Sequence, residues 1–265
     1  MGITGGPLQI SKSLTVVLPC YNEMKAVGPV LERLASMAKS WTSRGVTLKE
    51  IILVDDGSID QTVEAMSTWK AANAEKYPLT LRVISNSHRQ GYGAALKKGI
   101  AAATSDYIAF YDVDGTYDPE LIPEMLQLMV SKNASMACGD RLSQCEHMPL
   151  TREIGNRLFV GTINLLYRAR VFDSCTGMRV FSKDLREFFS SHALPDGLDY
   201  SLAMTLTFLR TGHRLVETPI PYARRIGRSK LRVLTDGPRF FLRILGTWIH
   251  TPEHVKVFRH SRKSE

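Results

Sequence analysis

The strongest constraint in this chain is a repeated unit: a short apolar run, a polar turn, then a segment of helical character. The runs cover residues 14–18, 50–54, 81–85 and 107–111, and the segments after them about 24–40, 60–72, 91–104 and 118–132. Runs this short, rich in β-branched and aromatic residues, read as buried strands. Strand alternating with helix predicts an α/β fold: a mostly parallel central sheet flanked by helices. A ligand site in such a sheet gathers at the carboxyl ends of the strands.

What stands at those ends is unusually acidic. The first run leads into Pro19-Cys20-Tyr21-Asn22-Glu23, the second into Asp55-Asp56-Gly57-Ser58, and the fourth into Asp112-Val113-Asp114-Gly115. Two carboxylates one residue apart repel unless a cation lies between them, and hard divalent ions are what oxygen ligands of this kind hold. Asp and Gly are also common turn residues, so an isolated Asp-x-Asp leaves both readings open. Asp56, Gly57, Ser58 and Asp60 read structurally, as a glycine turn and the cap of the next helix. The segment from Asn86 to Gly93 is glycine-rich but lacks the spacing of a phosphate loop.

The second half carries arginines. A strand-like stretch at 134–138 runs into Gly139-Asp140-Arg141, and Arg152 and Asn156 lie one helical turn apart. Arginine's forked donors suit phosphate; a solvated basic helix face is the alternative. Further on, Arg224-Arg225-Ile226-Gly227-Arg228-Ser229-Lys230 sets cations around a glycine that permits a bend.

Charge is informative by location. From Met1 to Ala223, 23 basic and 23 acidic residues cancel, and the 11 basic against 3 acidic residues from Arg224 onward hold the whole net charge of +8. A basic tail suits nucleic acid, an anionic membrane surface or a solvated end. Beside it Phe240, Phe241, Ile244, Leu245, Trp248 and Ile249 form an apolar helical stripe, fit to lie in a membrane interface or to pack on the body. No run is apolar enough to span a bilayer. The expected organisation is a flexible lead over 1–13, an α/β domain over 14–232 and a basic amphipathic segment over 233–265. Without a secretory leader pattern, the four cysteines read as reduced thiols of a cytoplasmic protein.

Taken in order, these motifs resemble the family 2 glycosyltransferases of the GT-A (Rossmann-like) fold, and within them the polyprenyl-phosphate transferases similar to dolichol-phosphate mannose synthase. The match runs from about residue 14 to 232: Pro-x-Tyr-Asn-Glu at 19–23, Val-Asp-Asp-Gly-Ser at 54–58, Asp-x-Asp at 112–114, Gly-x-Arg at 139–141 and Arg-x-x-Gly-x-Ser-Lys at 224–230. The resemblance implies an inverting hexosyl transfer from a nucleoside-diphosphate sugar, GDP-mannose or UDP-glucose, to a polyprenyl phosphate. It places Pro19, Tyr21, Glu23, Asp55, Asp112, Val113, Asp114, Arg224 and Lys230 at the donor. Asp112 and Asp114 become the ligands of Mg²⁺ or Mn²⁺, with Asp114 the direct one. Arg141, Arg152, Asn156 and Asp173 fall at the acceptor. Catalysis is assigned to Asp114, Arg141, Arg224 and Lys230.

Two positions depart from the family pattern. Thr116 stands where many relatives have a metal-binding Gln, and Asn156 where they often have Ser. A phosphate acceptor is largely dianionic at neutral pH and attacks unaided, so Asp173 is expected to position an arginine rather than act as base. The chain lacks the Gln-x-x-Arg-Trp of processive synthases, which implies a single transfer. Two other readings compete: a family 2 transferase with a soluble sugar or glycerate-type acceptor, and a nucleotide-binding module without turnover. The expected partners are the donor, the prenyl phosphate and a peripheral membrane surface on the cytosolic side; no nucleic acid is expected, since the neutral body offers no array of stacking aromatics and cations.

Overall fold

The computed structural model describes residues 12–77, 79–227 and 229–250. The four expected strands are β1 (Lys12–Cys20), β2 (Val46–Asp55), β3 (Thr80–Ser85) and β4 (Tyr107–Phe110). They pair in parallel in the order β3-β2-β1-β4. The intervening crossovers are α1 (Met24–Ser43), α2 (Thr62–Asn73) and α3 (Tyr92–Ala102). After β4 come a 3-10 turn at Pro119–Leu121, α4 (Ile122–Ser131), β5 (Met136–Asp140) and α5 (Leu150–Tyr167). The expected strand over 14–18 thus begins earlier, at Lys12, and the rest of the N-terminal lead lies outside the described residues.

The strands and helices between α5 and the C-terminal helical stripe were not foreseen. β6 (Arg179–Ser182) inserts antiparallel between β4 and β5, and β7 (Leu215–Pro219) closes the seven-stranded sheet beside β5. A strand opening on a wholly buried arginine does not announce itself as apolar; Arg179 is satisfied by the carbonyls of Ser174, Thr176 and Ser201 and by Thr205 Oγ1. Between β6 and β7 lie α6 (Leu185–Ser191) and α7 (Tyr200–Thr211), and the last helix is α8 (Val233–Ile249).

Helices cover both faces of the sheet, which is why the strands are apolar on both sides. In β1, Leu14, Val16 and Leu18 face α1 and α4, while Val17 faces the opposite layer with Leu96 of α3 and Phe208 of α7. The small-residue run of α3 has a packing cause. A Cβ at Gly99 would stand 2.3 Å from Val17 Cγ1 and 3.0 Å from Val54 Cγ2, so α3 lies with its backbone against the sheet.

α8 packs inward. Phe240 and Ile244 are buried with Phe159 and Ile163 of α5 and Leu202 and Leu206 of α7. Trp248 Nε1 donates to Leu166 O at 2.9 Å, and Tyr167 donates its hydroxyl proton to Ile244 O at 2.9 Å. Of the two readings of the C-terminal stripe, these residues take the packed one. Residues 251–265 lie outside the described residues. No helix among the described residues is long and apolar enough to cross a membrane.

Candidate active site

The carboxyl ends of β1, β2 and β4 meet at one edge of the sheet, and a cavity of about 480 Å³ opens there. It is lined by Pro19, Tyr21, Glu23, Asp112, Val113 and Asp114, brought together from positions almost a hundred residues apart. Arg225 and Lys230, Arg141, Arg152 and Asn156, and the apolar Leu158, Phe240 and Phe241 line the same cavity.

Asp114 is held tightly. Its Oδ1 accepts from Thr116 N at 3.0 Å and Thr116 Oγ1 at 2.6 Å, and its Oδ2 meets Arg225 Nη1 at 2.8 Å. Thr116 thus orients Asp114 and leaves its second oxygen for a cation. Asp112 Oδ1 accepts from the Tyr92 hydroxyl at 2.8 Å. Burial and the neighbouring Asp114 charge raise the Asp112 carboxyl to about 6. Both effects penalise the charged carboxylate, and a cation beside the pair would oppose them.

Among the described residues no group of three or more His, Cys, Asp and Glu side chains is placed to hold a metal. The two aspartates would be the protein's share of a metal site, and the Arg225 guanidinium occupies the position of a cation on Asp114. The residues therefore fit a divalent ion that draws its remaining oxygens from a bound diphosphate and water.

Arg225, rather than Arg224, enters the site. Arg224 is exposed and does not line the cavity, whereas Arg225 bridges Asp114 and, at 3.5 Å, Glu23. Arg225 Nε is buried without a hydrogen-bond partner among the described residues. Ile226 N donates to Asp114 O at 2.7 Å, which lays the loop across the Asp-x-Asp turn. Lys230 pairs with Glu23 and donates to Asn22 O at 3.3 Å. Burial raises the Glu23 carboxyl, and Lys230 and Arg225 oppose that rise.

Other expected residues divide by location. Tyr21 stands under the Arg89 guanidinium, 4.5 Å from ring centre to Cζ, on the cavity wall. Asp55 lies behind the wall, where its carboxylate accepts from Ser58 N at 3.2 Å. Asp56 lines the cavity and holds the glycine-rich loop, accepting from Gln90 N and Gly91 N at 2.8 Å each and from Asn86 Nδ2 at 2.9 Å. It braces that loop, while the residue before α2 is not the expected Asp or Ser cap but Gln61, with no side-chain cap.

Arg141 is gripped by Asp173 through two parallel bonds, Nε to Oδ2 at 2.7 Å and Nη2 to Oδ1 at 3.0 Å. Asp173 is itself set by Glu217, which accepts from Phe172 N and Asp173 N. Burial pushes the Glu217 carboxyl up to about 7. Asp173 does not line the cavity and is spent on Arg141, so the expected positioning role fits its geometry. Arg152 lines the cavity with no ion pair among the described residues, and Asn156 Nδ2 contacts Met148 Sδ at 3.8 Å.

The glycosyl transferase family 2 pattern matches residues 15–189, the stretch that holds most of the strands and the carboxylate edge. The chain belongs to that family. It is 30% identical over 225 residues to a dolichyl-phosphate hexose transferase of Haloferax volcanii, covering 84% of this chain and 89% of the relative. It is likewise 30% identical over 234 residues to the low-salt glycan biosynthesis hexosyltransferase Agl6 of the same organism, covering 87% of this chain but only 52% of that protein. A dodecaprenyl-phosphate galacturonate synthase of Rhizobium johnstonii is 36% identical over 142 residues, 52% of this chain and 38% of its own length. Among solved structures, glucosyl-3-phosphoglycerate synthase of Mycobacterium tuberculosis, with Mn²⁺, UDP and phosphoglyceric acid, superposes with a TM-score of 0.68 at 19% identity, over 91% of this chain and 80% of that one. At that identity the likeness shows the GT-A fold.

Proposed function

We propose that this protein moves a hexose from a nucleoside-diphosphate sugar to a polyprenyl phosphate, with a divalent metal ion, at a membrane surface. The observation that carries the reading is the lining of one cavity. Carboxylates with an arginine–lysine loop, the cations Arg141 and Arg152, and aromatic and aliphatic residues all border it. A diphosphate leaving group suits the first, an acceptor phosphate the second and a prenyl chain the third. An acceptor as polar as a glycerate would leave the apolar residues unused. The dolichyl-phosphate and dodecaprenyl-phosphate relatives support the same acceptor class.

Each group then has a task. Asp112 and Asp114 would hold Mg²⁺ or Mn²⁺, which supplies positive charge against the departing diphosphate. Arg225 and Lys230 add to that charge from the loop, and an oxygen of the diphosphate would satisfy Arg225 Nε. Tyr21 and Glu23 face the nucleoside side. Arg141, fixed by Asp173, and Arg152 orient the acceptor phosphate.

One phosphate oxygen forms a bond to the anomeric carbon while the bond from that carbon to the diphosphate breaks, so a single displacement inverts the centre. No protein base is needed, because the phosphate dianion carries the attacking lone pair. The four free cysteines fit the cytosolic side of the membrane.

The test is transfer of labelled sugar from GDP-mannose or UDP-glucose to a prenyl phosphate, with Mn²⁺ and with excess EDTA. Metal-dependent lipid-linked product is expected. Product formed only with phosphoglycerate, or undiminished in EDTA, overturns the reading.

A further inference from the structure

α5 carries two apolar faces. Phe159, Ile163 and Tyr167 are buried against α7 and α8, and the opposite side of the helix meets solvent. On that side stand Leu150, Ile154, Leu158 and Leu165, between 59% and 78% exposed. At roughly 100° per residue they fall within a stripe about 80° wide that runs nearly the length of the helix. A single exposed leucine needs no explanation, but a contiguous stripe marks a surface for something apolar.

We propose that the outer stripe of α5 is the face on which this protein lies against an anionic lipid bilayer, with the helix in the plane of the headgroups. The purpose of this face rests on the prenyl-phosphate reading above; its location rests on three observations. First, Leu158 belongs both to the stripe and to the cavity wall. The stripe therefore borders the cavity, and a prenyl chain crossing from bilayer to Arg152 stays among apolar side chains. Second, the exposed arginines of residues 150–170 are Arg157, which pairs with Glu153, and Arg168 and Arg170 just past the end of the helix, a surplus of positive charge; Arg152 turns into the cavity instead. Arginines flanking an apolar stripe are what an interfacial helix presents to anionic lipid. Third, the C-terminal stripe that could have served instead buries Phe240 and Ile244 in the protein. A second copy of the chain is the weaker occupant, since pairing two such faces would bring these arginines towards one another.

The experiment uses the full chain and a double substitution, Ile154→Asp with Leu165→Asp, neither residue lining the cavity. Ile154→Gln with Leu165→Gln is a milder pair should the first fold poorly. Sedimentation with phosphatidylcholine vesicles, with and without phosphatidylserine, measures docking. Transfer to farnesyl phosphate free in solution measures the chemistry. Wild-type protein is expected to pellet with the phosphatidylserine vesicles and to be released in part by salt. The double variants should partition at least about tenfold less, while thermal unfolding and transfer to farnesyl phosphate stay unchanged. Variants that sediment like wild type overturn the proposal. So does wild-type protein that ignores vesicles and forms a dimer which the substitutions dissociate. Vesicle binding lost on substitution, in a protein that transfers sugar to no prenyl phosphate, leaves the docking face standing and removes the acceptor reading instead.

Discussion

Arg224 and Arg225 are neighbours in the chain, yet only one guanidinium reaches Asp114. In an extended loop successive side chains leave on opposite sides, so a motif that fits either residue cannot choose between them. Arg225→Ala is expected to lower kcat/KM by about tenfold or more, some 1.4 kcal/mol of lost transition-state stabilisation. Arg224→Ala should change it far less, and steady-state kinetics on both variants decides. Asp114→Asn should cost about a hundredfold and abolish Mn²⁺ binding by calorimetry while the fold persists. Glu217 makes a prediction about pH. Its folded-state pKa of about 7 lies above the ordinary 4.5, so the stability it contributes is fully present below about 4.5 and is lost as the pH climbs through about 7. Glu217→Gln mimics the protonated form and keeps an acceptor for the Phe172 and Asp173 amides. The melting temperature of wild type should therefore fall relative to the variant between roughly pH 5 and pH 8, and parallel melting curves would reject the assignment.

At the scale of elements, glycines and buried polar residues decide how closely strands and loops approach the carboxylates. A Cβ on Gly177 would stand 2.6 Å from Asp112 Oδ2, so the loop before β6 forms the back wall of the aspartate pair. Gly177→Ala is expected to displace Asp112 and weaken Mn²⁺ binding, with a smaller effect on thermal unfolding than on binding. Equal metal affinity in the variant would show that the wall yields. Asp56 works on the opposite side: three donors from the 86–91 loop converge on it, joining β2 to the N-terminus of α3. Neither link follows from local propensity. Asp56 reads in the sequence as a turn residue, and Gly177 as one glycine among many.

At the scale of the whole molecule, α8 joins the catalytic body to the basic end of the chain. Arg243 and Arg239 pair with the fully buried Asp199, and Phe240 and Ile244 complete the core shared with α5 and α7. The C-terminal segment is thus a wall of the cavity as well as a carrier of charge. Phe240→Ala is expected to destabilise the protein by about 3–5 kcal/mol, and a chain ending at Arg232 should lose cooperative unfolding. A truncated protein that melts like wild type would mean that α8 only rests on the surface.

The sequence by itself determined the α/β class, the four parallel strands with the helices that follow them, and the edge at which Pro19, Glu23, Asp112 and Asp114 gather. Those features follow from local periodicity: an apolar run fixes a strand, and the residue after it must stand at the sheet's edge. Arg141 was legible as a member of the site because its type suits phosphate, whereas Asp173, which stands behind it, came only with the family resemblance. Tertiary structure decided everything that depends on direction or distance. It aimed Arg225 inward and Arg224 out, spent Asp173 on Arg141, set Thr116 on Asp114, inserted β6 antiparallel through a buried arginine, and buried Phe240 and Ile244 of the α8 stripe in the core. It also left the outer stripe of α5 bare. A helix with apolar residues on two sides has one periodic signal in sequence, and only its neighbours determine which side is covered.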